Sequence, residues 1–180
     1  MEAMVAAFPE IVVLSLHGPY VSEPKAPSPL FPAWQDSSRL LGPFFAGFVE
    51  GAGDRAVPVD GGELYHLRKE DDFRRSYDWR KRTFASDEID CAYLPPAVRS
   101  SYASRVEIAF GVYDRPFGGL PMDPPTMARV IAAALRRTDR YIWLYVEGRS
   151  YLEPPERGGA EAEWVLAVRR GRDEGRLRPR

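Results

Sequence analysis

The sequence predicts an α/β protein built from four β/α units with parallel strands. Four short runs rich in β-branched and aromatic residues, near positions 10–17, 56–60, 105–113 and 141–146, alternate with segments that carry helical periodicity or helix-start signals. Such alternation is typical of a parallel sheet whose strands are joined by right-handed crossovers. Four units fit two architectures, an open doubly wound sheet or half of an eight-stranded barrel, and periodicity alone does not separate them.

Apolar spacing and charge indicate the first helices. Residues 1–8 are predicted to be the end of a helix that leads into the first strand, which a long proline-rich loop follows. Residues 37–52 place apolar side chains along one helix face. Pro43 is either the first helical position there or the site of a kink. Residues 70–84 begin acidic and end basic, as the helix macrodipole favours.

Proline and capping signals place the remaining helices. Pro95 and Pro96 start a short helix before the third strand. Asp123 followed by Pro124 is typical of an N-cap and a first helical position. The last predicted helix covers residues 159–171. These signals complete the alternation of strands and helices.

Composition excludes several classes of function. The net charge of −1 argues against a nucleic-acid partner, because phosphate binding needs a basic excess. The arginine-rich residues 172–180 are predicted to be a disordered basic tail. The single cysteine, Cys91, excludes an internal disulfide and a cysteine-based zinc site, and no cofactor is expected. No run is apolar enough to span a membrane, and no signal peptide is visible, so the default expectation is a cytoplasmic protein.

The strand ends carry the residues with chemical potential. Each predicted strand ends in, or is soon followed by, acidic, aromatic or imidazole side chains: His17, Asp60, Glu63, Tyr65, Tyr113, Asp114, Trp143, Tyr145 and Glu147. The carboxyl ends of parallel strands meet at one face, where ligands bind in α/β proteins. We therefore expect these side chains to line a cleft, and carboxylates with tyrosine and tryptophan suit a sugar ligand.

Several short motifs occur in a suggestive order over residues 8–150: Phe8-Pro9-Glu10, Phe44-Phe45-Ala46-Gly47-Phe48, Val59-Asp60-Gly61-Gly62-Glu63 with Tyr65, a stretch from Tyr102 to Asp114, and Asp139-Arg140-Tyr141-Ile142-Trp143-Leu144-Tyr145-Val146-Glu147. Together they resemble the C-terminal half of uncharacterised bacterial glycoside-hydrolase-like TIM-barrel proteins. The resemblance implies that residues 1–171 are a partial (β/α) barrel domain, with the first four strands upstream of Met1. It also implies a carbohydrate ligand, and either a homodimer or a missing N-terminal half-barrel as partner.

Glycoside hydrolysis needs two carboxyl groups, roughly 5–5.5 Å apart for retention or roughly 6.5–9.5 Å apart for inversion. Glu63 and Glu147 are the best candidate pair. Asp60 is a further catalytic candidate, although capping of the Gly61-Gly62 turn explains it equally well.

Six residues are candidates for substrate binding: His17, Tyr65, Tyr113, Asp114, Trp143 and Tyr145. Trp143, Tyr145 and Glu147 share one strand parity, so they form either an aromatic wall for sugar rings or core bulk. A salt bridge in a loop is a simpler interpretation of Asp114 than substrate binding. A hydrogen-bonded loop position is likewise a simpler interpretation of His17.

Two other functions stay open. The chain is alternatively a non-catalytic sugar-binding or scaffold remnant of such an enzyme. The third hypothesis is a metal-dependent hydrolase, with His17, His66, Asp60 and Glu63 as ligands, since imidazole and carboxylate suit borderline cations.

Overall fold

The computed structural model of the chain describes residues 1–19, 40–83, 94–115, 122–147 and 150–176. Cys91, the predicted proline-rich loop beyond Pro19 and the last four residues of the expected tail lie outside these ranges. The described residues contain six α-helices and two small parallel sheets, which is compatible with an α/β fold.

The chain divides into two compact units. The first consists of Met1–Gly62 and Ser76–Ala109, and the second of Glu63–Arg75 and Phe110–Arg180. In the described residues, no helix has the length and apolar character needed to cross a membrane.

The sheet of the first unit has three parallel strands in chain order. Strand β1 (Val12–Ser15) pairs with β2 (Val57–Asp60), and β2 pairs with β3 (Glu107–Ile108). Asp60 lies opposite Ser15 in one register and Ile108 in the other. This residue therefore ends the central strand.

The first unit also contains the helices α1 (Glu2–Ala7), α2 (Leu41–Gly51) and α4 (Pro96–Arg105). Of these, α2 and α4 contact each other and carry buried apolar residues. Helix α3 (Glu70–Asp78) belongs to this unit from Ser76 onwards, and a π-helical turn, Trp79–Thr83, follows it. The core includes fully buried Val49, Val59, Tyr102 and Val106.

Pro43 does not interrupt α2, and it is not the first helical position. It is the third residue of the helix, where a backbone N–H would have no partner within the helix in any case. The first turn therefore accommodates the proline without losing a helical hydrogen bond.

The second unit contains two parallel strands and two long helices. Strand β4 (Phe110–Tyr113) pairs with β5 (Ile142–Tyr145), and α5 (Pro124–Leu135) connects them. Helix α6 (Ala162–Arg176) packs on α5. The crossing is close because α6 has glycine at position 171, where an added Cβ would lie 2.6 Å from a backbone oxygen of α5.

Most predicted elements lie where they were expected. Asp123 caps α5, since its Oδ1 accepts a 2.7 Å hydrogen bond from the Thr126 N–H. Helix α6 continues to Arg176. Residues 172–176 are therefore helical, although the sequence predicted them to be part of a disordered tail.

The third predicted strand is interrupted. Residues 105–113 were expected to form one strand, but β3 and β4 are separate at Ala109. At this residue the Ala109 N–H still donates to the Asp60 carbonyl of β2 at 2.8 Å, whereas the Ala109 carbonyl accepts a 2.8 Å hydrogen bond from Nη2 of Arg80.

Candidate functional site

Glu147 is bound by two tyrosines in the second unit. The Tyr113 hydroxyl donates to its Oε2 and the Tyr145 hydroxyl to its Oε1, each at 2.7 Å. Both oxygens of the carboxylate thus accept a phenolic hydrogen bond. The carboxylate itself is exposed, so a ligand in solution can reach it.

The strand register explains why two tyrosines reach one carboxylate. Tyr113 of β4 lies directly opposite Tyr145 of β5, and their rings are 4.9 Å apart edge to face. Glu147 follows Tyr145 by two residues, which is the spacing that keeps side chains on one face of an extended chain.

A second carboxylate joins the cluster through Tyr65. The Tyr65 hydroxyl donates a 2.8 Å hydrogen bond to Oε1 of Glu63. Its ring stacks on Tyr145 with 5.7 Å between the centroids and meets Tyr113 edge to face at 5.2 Å. Glu63 and Tyr65 are both half-buried, so this side of the cluster also borders solvent.

Trp143 completes the aromatic cluster. Its ring meets Tyr65 edge to face at 5.8 Å. The indole also covers Gly111, its partner in the strand register, where an added Cβ would lie 2.6 Å from the indole Cζ2. We name these six residues the tyrosine–carboxylate cluster: Glu63, Tyr65, Tyr113, Trp143, Tyr145 and Glu147.

The hydrogen bonds of the cluster separate the charged and neutral groups. The bond from Tyr113, then that from Tyr145, lowers the pKa of Glu147, with a further contribution from the charge of Arg115. The same bond to Glu147 raises the pKa of Tyr113 to about 12, and it raises the pKa of Tyr145 as well. Glu147 is therefore held as the anion and the phenols as neutral donors.

Glu63 also raises the pKa values of Tyr65 and Tyr145. Burial raises the pKa of Tyr65, and the hydrogen bond to Glu63 raises it further. The charge of Glu63 also contributes to the raised pKa of Tyr145. The two carboxylates thus act on a common tyrosine, which places them in one electrostatic environment.

Asp60 and His17 belong to the first unit. Asp60 is fully buried, and its Oδ1 lies 3.2 Å from Nη1 of Arg80 and accepts a 3.1 Å hydrogen bond from the Gly62 N–H. These are the contacts of a structural ion pair and a turn cap. His17 is half-buried, and its carbonyl accepts a hydrogen bond from the Ser15 hydroxyl.

Asp114 and His66 belong to the second unit. Asp114 follows β4 directly and is fully buried, and its negative charge adds to the raised pKa of Tyr113. His66 as a whole is exposed, but the partial desolvation of its imidazole lowers the pKa of His66. Among the described residues, no three histidine, cysteine, aspartate or glutamate side chains are grouped so that they could hold a metal ion.

Sequence reasoning missed two residues of the site. Gly111 makes room for the indole of Trp143, and strand alternation signals no such requirement. Arg68 donates from Nη1 to the carbonyl of Tyr65 at 2.7 Å, and an arginine in a loop carries no pattern that would reveal this bond.

Comparisons with protein-family models, with curated proteins and with solved structures found no match to this chain. The tyrosine–carboxylate cluster itself is therefore the feature of this chain that indicates a function.

Proposed function

We propose that this chain is a carbohydrate-active, glycoside-hydrolase-like protein that uses Glu63 and Glu147 on a glycosidic bond. One observation carries the proposal: two carboxylates, each hydrogen-bonded to tyrosine, belong to a single solvent-bordering cluster of aromatic rings. Carboxylate pairs supply the chemistry of most glycosidases, and aromatic rings offer faces to sugar rings.

The electrostatics of the cluster assign a role to Glu147. The lowered pKa of Glu147 suits a group that stays ionised, as a nucleophile or as a stabiliser of the cationic transition state. It does not suit a general acid, which must hold a proton near neutral pH. Glu63, whose Oε1 accepts the Tyr65 hydroxyl at 2.8 Å, is the second carboxylate of the proposed pair.

The fold in this proposal is the C-terminal half of a TIM barrel. The three-stranded sheet supports it, because β1, β2 and β3 are parallel and follow chain order without the reversal that marks a doubly wound sheet. A homodimer or an N-terminal half-barrel completes the barrel. Such a partner would cover Val12 in β1, which is 41% exposed, and Leu16 directly after it, which is 48% exposed.

The catalytic proposal is tested with a panel of chromogenic aryl glycosides and oligosaccharides. Glu63→Gln and Glu147→Gln should each lower hydrolysis by about 10²–10⁴-fold, the usual contribution of an acid–base or nucleophilic group. Glu174→Gln is the matched control, because this glutamate pairs with Arg170 on helix α6 and is 41% exposed. Wild-type hydrolysis in both cluster variants would overturn the assignment.

The barrel proposal is tested by light scattering together with a thermal melt. A dimer that melts cooperatively supports closure of the barrel by a second copy. A monomer with a cooperative melt would point to a self-contained sheet and would remove the half-barrel from the proposal.

A second candidate function is sugar binding without turnover. The observation that favours it is that both oxygens of Glu147 already accept tyrosine hydroxyls, an arrangement that also serves to fix a binding surface. Oligosaccharide binding that Glu147→Gln weakens, with no product even at high protein concentration, would support this candidate over the enzyme.

A further inference from the structure

The loop of residues 63–69 carries one half of the tyrosine–carboxylate cluster. Glu63 and Tyr65 point into the cluster, and the intervening Leu64 and the later Leu67 are 5% and 2% exposed. The Leu67 N–H donates to the Leu64 carbonyl at 3.3 Å, which closes a turn. The loop is thus anchored by its leucines, while its polar and aromatic side chains border solvent.

Arg68 uses its charge on the backbone of this loop. Its Nη1 donates to the Tyr65 carbonyl at 2.7 Å and to the Leu67 carbonyl at 3.2 Å. Among the described residues it forms no ion pair with a carboxylate. Its half-buried position is unfavourable for a cation, and burial lowers the pKa of Arg68. A guanidinium kept there must be compensated by the carbonyls it binds.

The backbone of Arg68 is itself fixed at the start of α3. Oδ2 of Asp72 accepts hydrogen bonds from the N–H groups of Arg68 at 3.4 Å and of Lys69 at 3.1 Å. Asp72 is in turn held by Arg75, whose Nη2 donates to Oδ1 at 2.8 Å. Arg68 therefore reaches from a capped helix end to the peptide of Tyr65.

We propose that Arg68 is a positioning residue of the candidate site, holding the Tyr65 peptide so that the Tyr65 ring stays stacked on Tyr145 and its hydroxyl stays on Glu63. The inference rests on the proposed function for its catalytic consequence alone. The structural part, that Arg68 keeps the ring in place, holds for any ligand of the cluster.

Lysine would not replace this arginine. Both bonds come from one nitrogen, Nη1, whose two N–H groups are fixed in the guanidinium plane, whereas the donors of an ammonium rotate on a flexible stem. Arg68→Lys should therefore keep the charge and lose part of the geometry.

The test uses the full chain and measures ring contacts directly. In protein with labelled tyrosine rings, the nuclear Overhauser effects between Tyr65 and Tyr145 are compared in wild type, Arg68→Met and Arg68→Lys. The control is Arg74→Met, since Arg74 is 47% exposed on α3 and pairs with Asp71. We expect the effects to vanish in Arg68→Met, to weaken in Arg68→Lys and to persist in the control.

Unchanged ring contacts in Arg68→Met would overturn the inference. If that variant does not fold, Arg68→Lys decides: weakened contacts support the inference and wild-type contacts refute it. Where turnover is found, Arg68→Met should lower kcat by about 10²-fold, the usual effect of a misplaced catalytic group, with KM much less affected and partial recovery in Arg68→Lys. The ring readout needs no turnover, so failure of the proposed enzyme activity would leave it intact.

Discussion

Breaking the buried ion pair between Asp60 and Arg80 should strongly destabilise the first unit. Both side chains have 0% exposure, and Oδ1 lies 3.2 Å from Nη1. Asp60→Asn keeps an acceptor for the Gly62 N–H but removes the negative charge that compensates the buried guanidinium. Removal of one partner of a buried pair costs about 3–5 kcal/mol, and we expect a loss in this range.

Arg80→Met should have a similar cost for the complementary reason. It leaves the Asp60 carboxylate buried without the guanidinium and removes the 2.8 Å hydrogen bond to the Ala109 carbonyl. The double variant buries neither charge, so its loss should be smaller than the sum of the single losses by about 0.5–3 kcal/mol, the usual range of coupling between residues in contact.

The assay is urea unfolding followed by circular dichroism, with free energies from the linear extrapolation. Arg75→Met is the control, because this arginine is 62% exposed and its ion pair with Asp72 should contribute at most about 1 kcal/mol. If Asp60→Asn stays within that control range and still abolishes hydrolysis, Asp60 is a catalytic residue, and the structural interpretation is refuted.

Three further predictions concern the second unit. In a pH titration of phenolate absorbance, the pKa of Tyr113 should be about 12 in the wild type. Glu147→Gln should lower this pKa towards the ordinary value of 10.0, because the negatively charged acceptor is removed. An unchanged titration would contradict the hydrogen bond. Burial raises the pKa of Glu70, but hydrogen bonds from two arginines outweigh it and the net pKa is lowered. Ionised Glu70 therefore stabilises the fold above its ordinary pKa of 4.5, and this stabilisation is lost as the pH falls through the lowered pKa. Glu70→Gln should reduce the free energy of unfolding by about 1 kcal/mol at neutral pH and should weaken its dependence on pH in acid. Gly111→Ala should cost about 1–3 kcal/mol in a thermal melt, because the new methyl group displaces the Trp143 indole, and an unaltered melting temperature would show that the indole moves freely.

Local patterns predicted the elements well because each depends on neighbouring residues. The cap of Asp123 on α5 and the proline start of α4 need only a few adjacent positions. The hydrogen bond from Arg80 to the Ala109 carbonyl, at the break of the third strand, could not be predicted, because Arg80 is 29 residues earlier in the chain and lies on a π-helical turn.

The sequence predicted part of the candidate site. Strand alternation placed Trp143, Tyr145 and Glu147 on one side, and the structure has both aromatic rings against Tyr65. The hydroxyl of Tyr113 on Glu147 depends on the register between two strands, which a single sequence does not reveal. Their roles in catalysis stay predictions.

The Asp60-Gly61-Gly62-Glu63 motif combines two requirements that the sequence presents as one. Gly61 has no space for a side chain, since an added Cβ would lie 2.5 Å from the Ser15 carbonyl oxygen. Gly62 has a φ of +56° and packs against the Arg80 guanidinium, so it needs glycine for both backbone and space. The first three residues of the motif are thus explained by the buried ion pair, its turn and the close approach of Gly61 to β1. Only Glu63 meets the tyrosine–carboxylate cluster, and it is the residue of this motif whose replacement should affect a ligand without affecting the core.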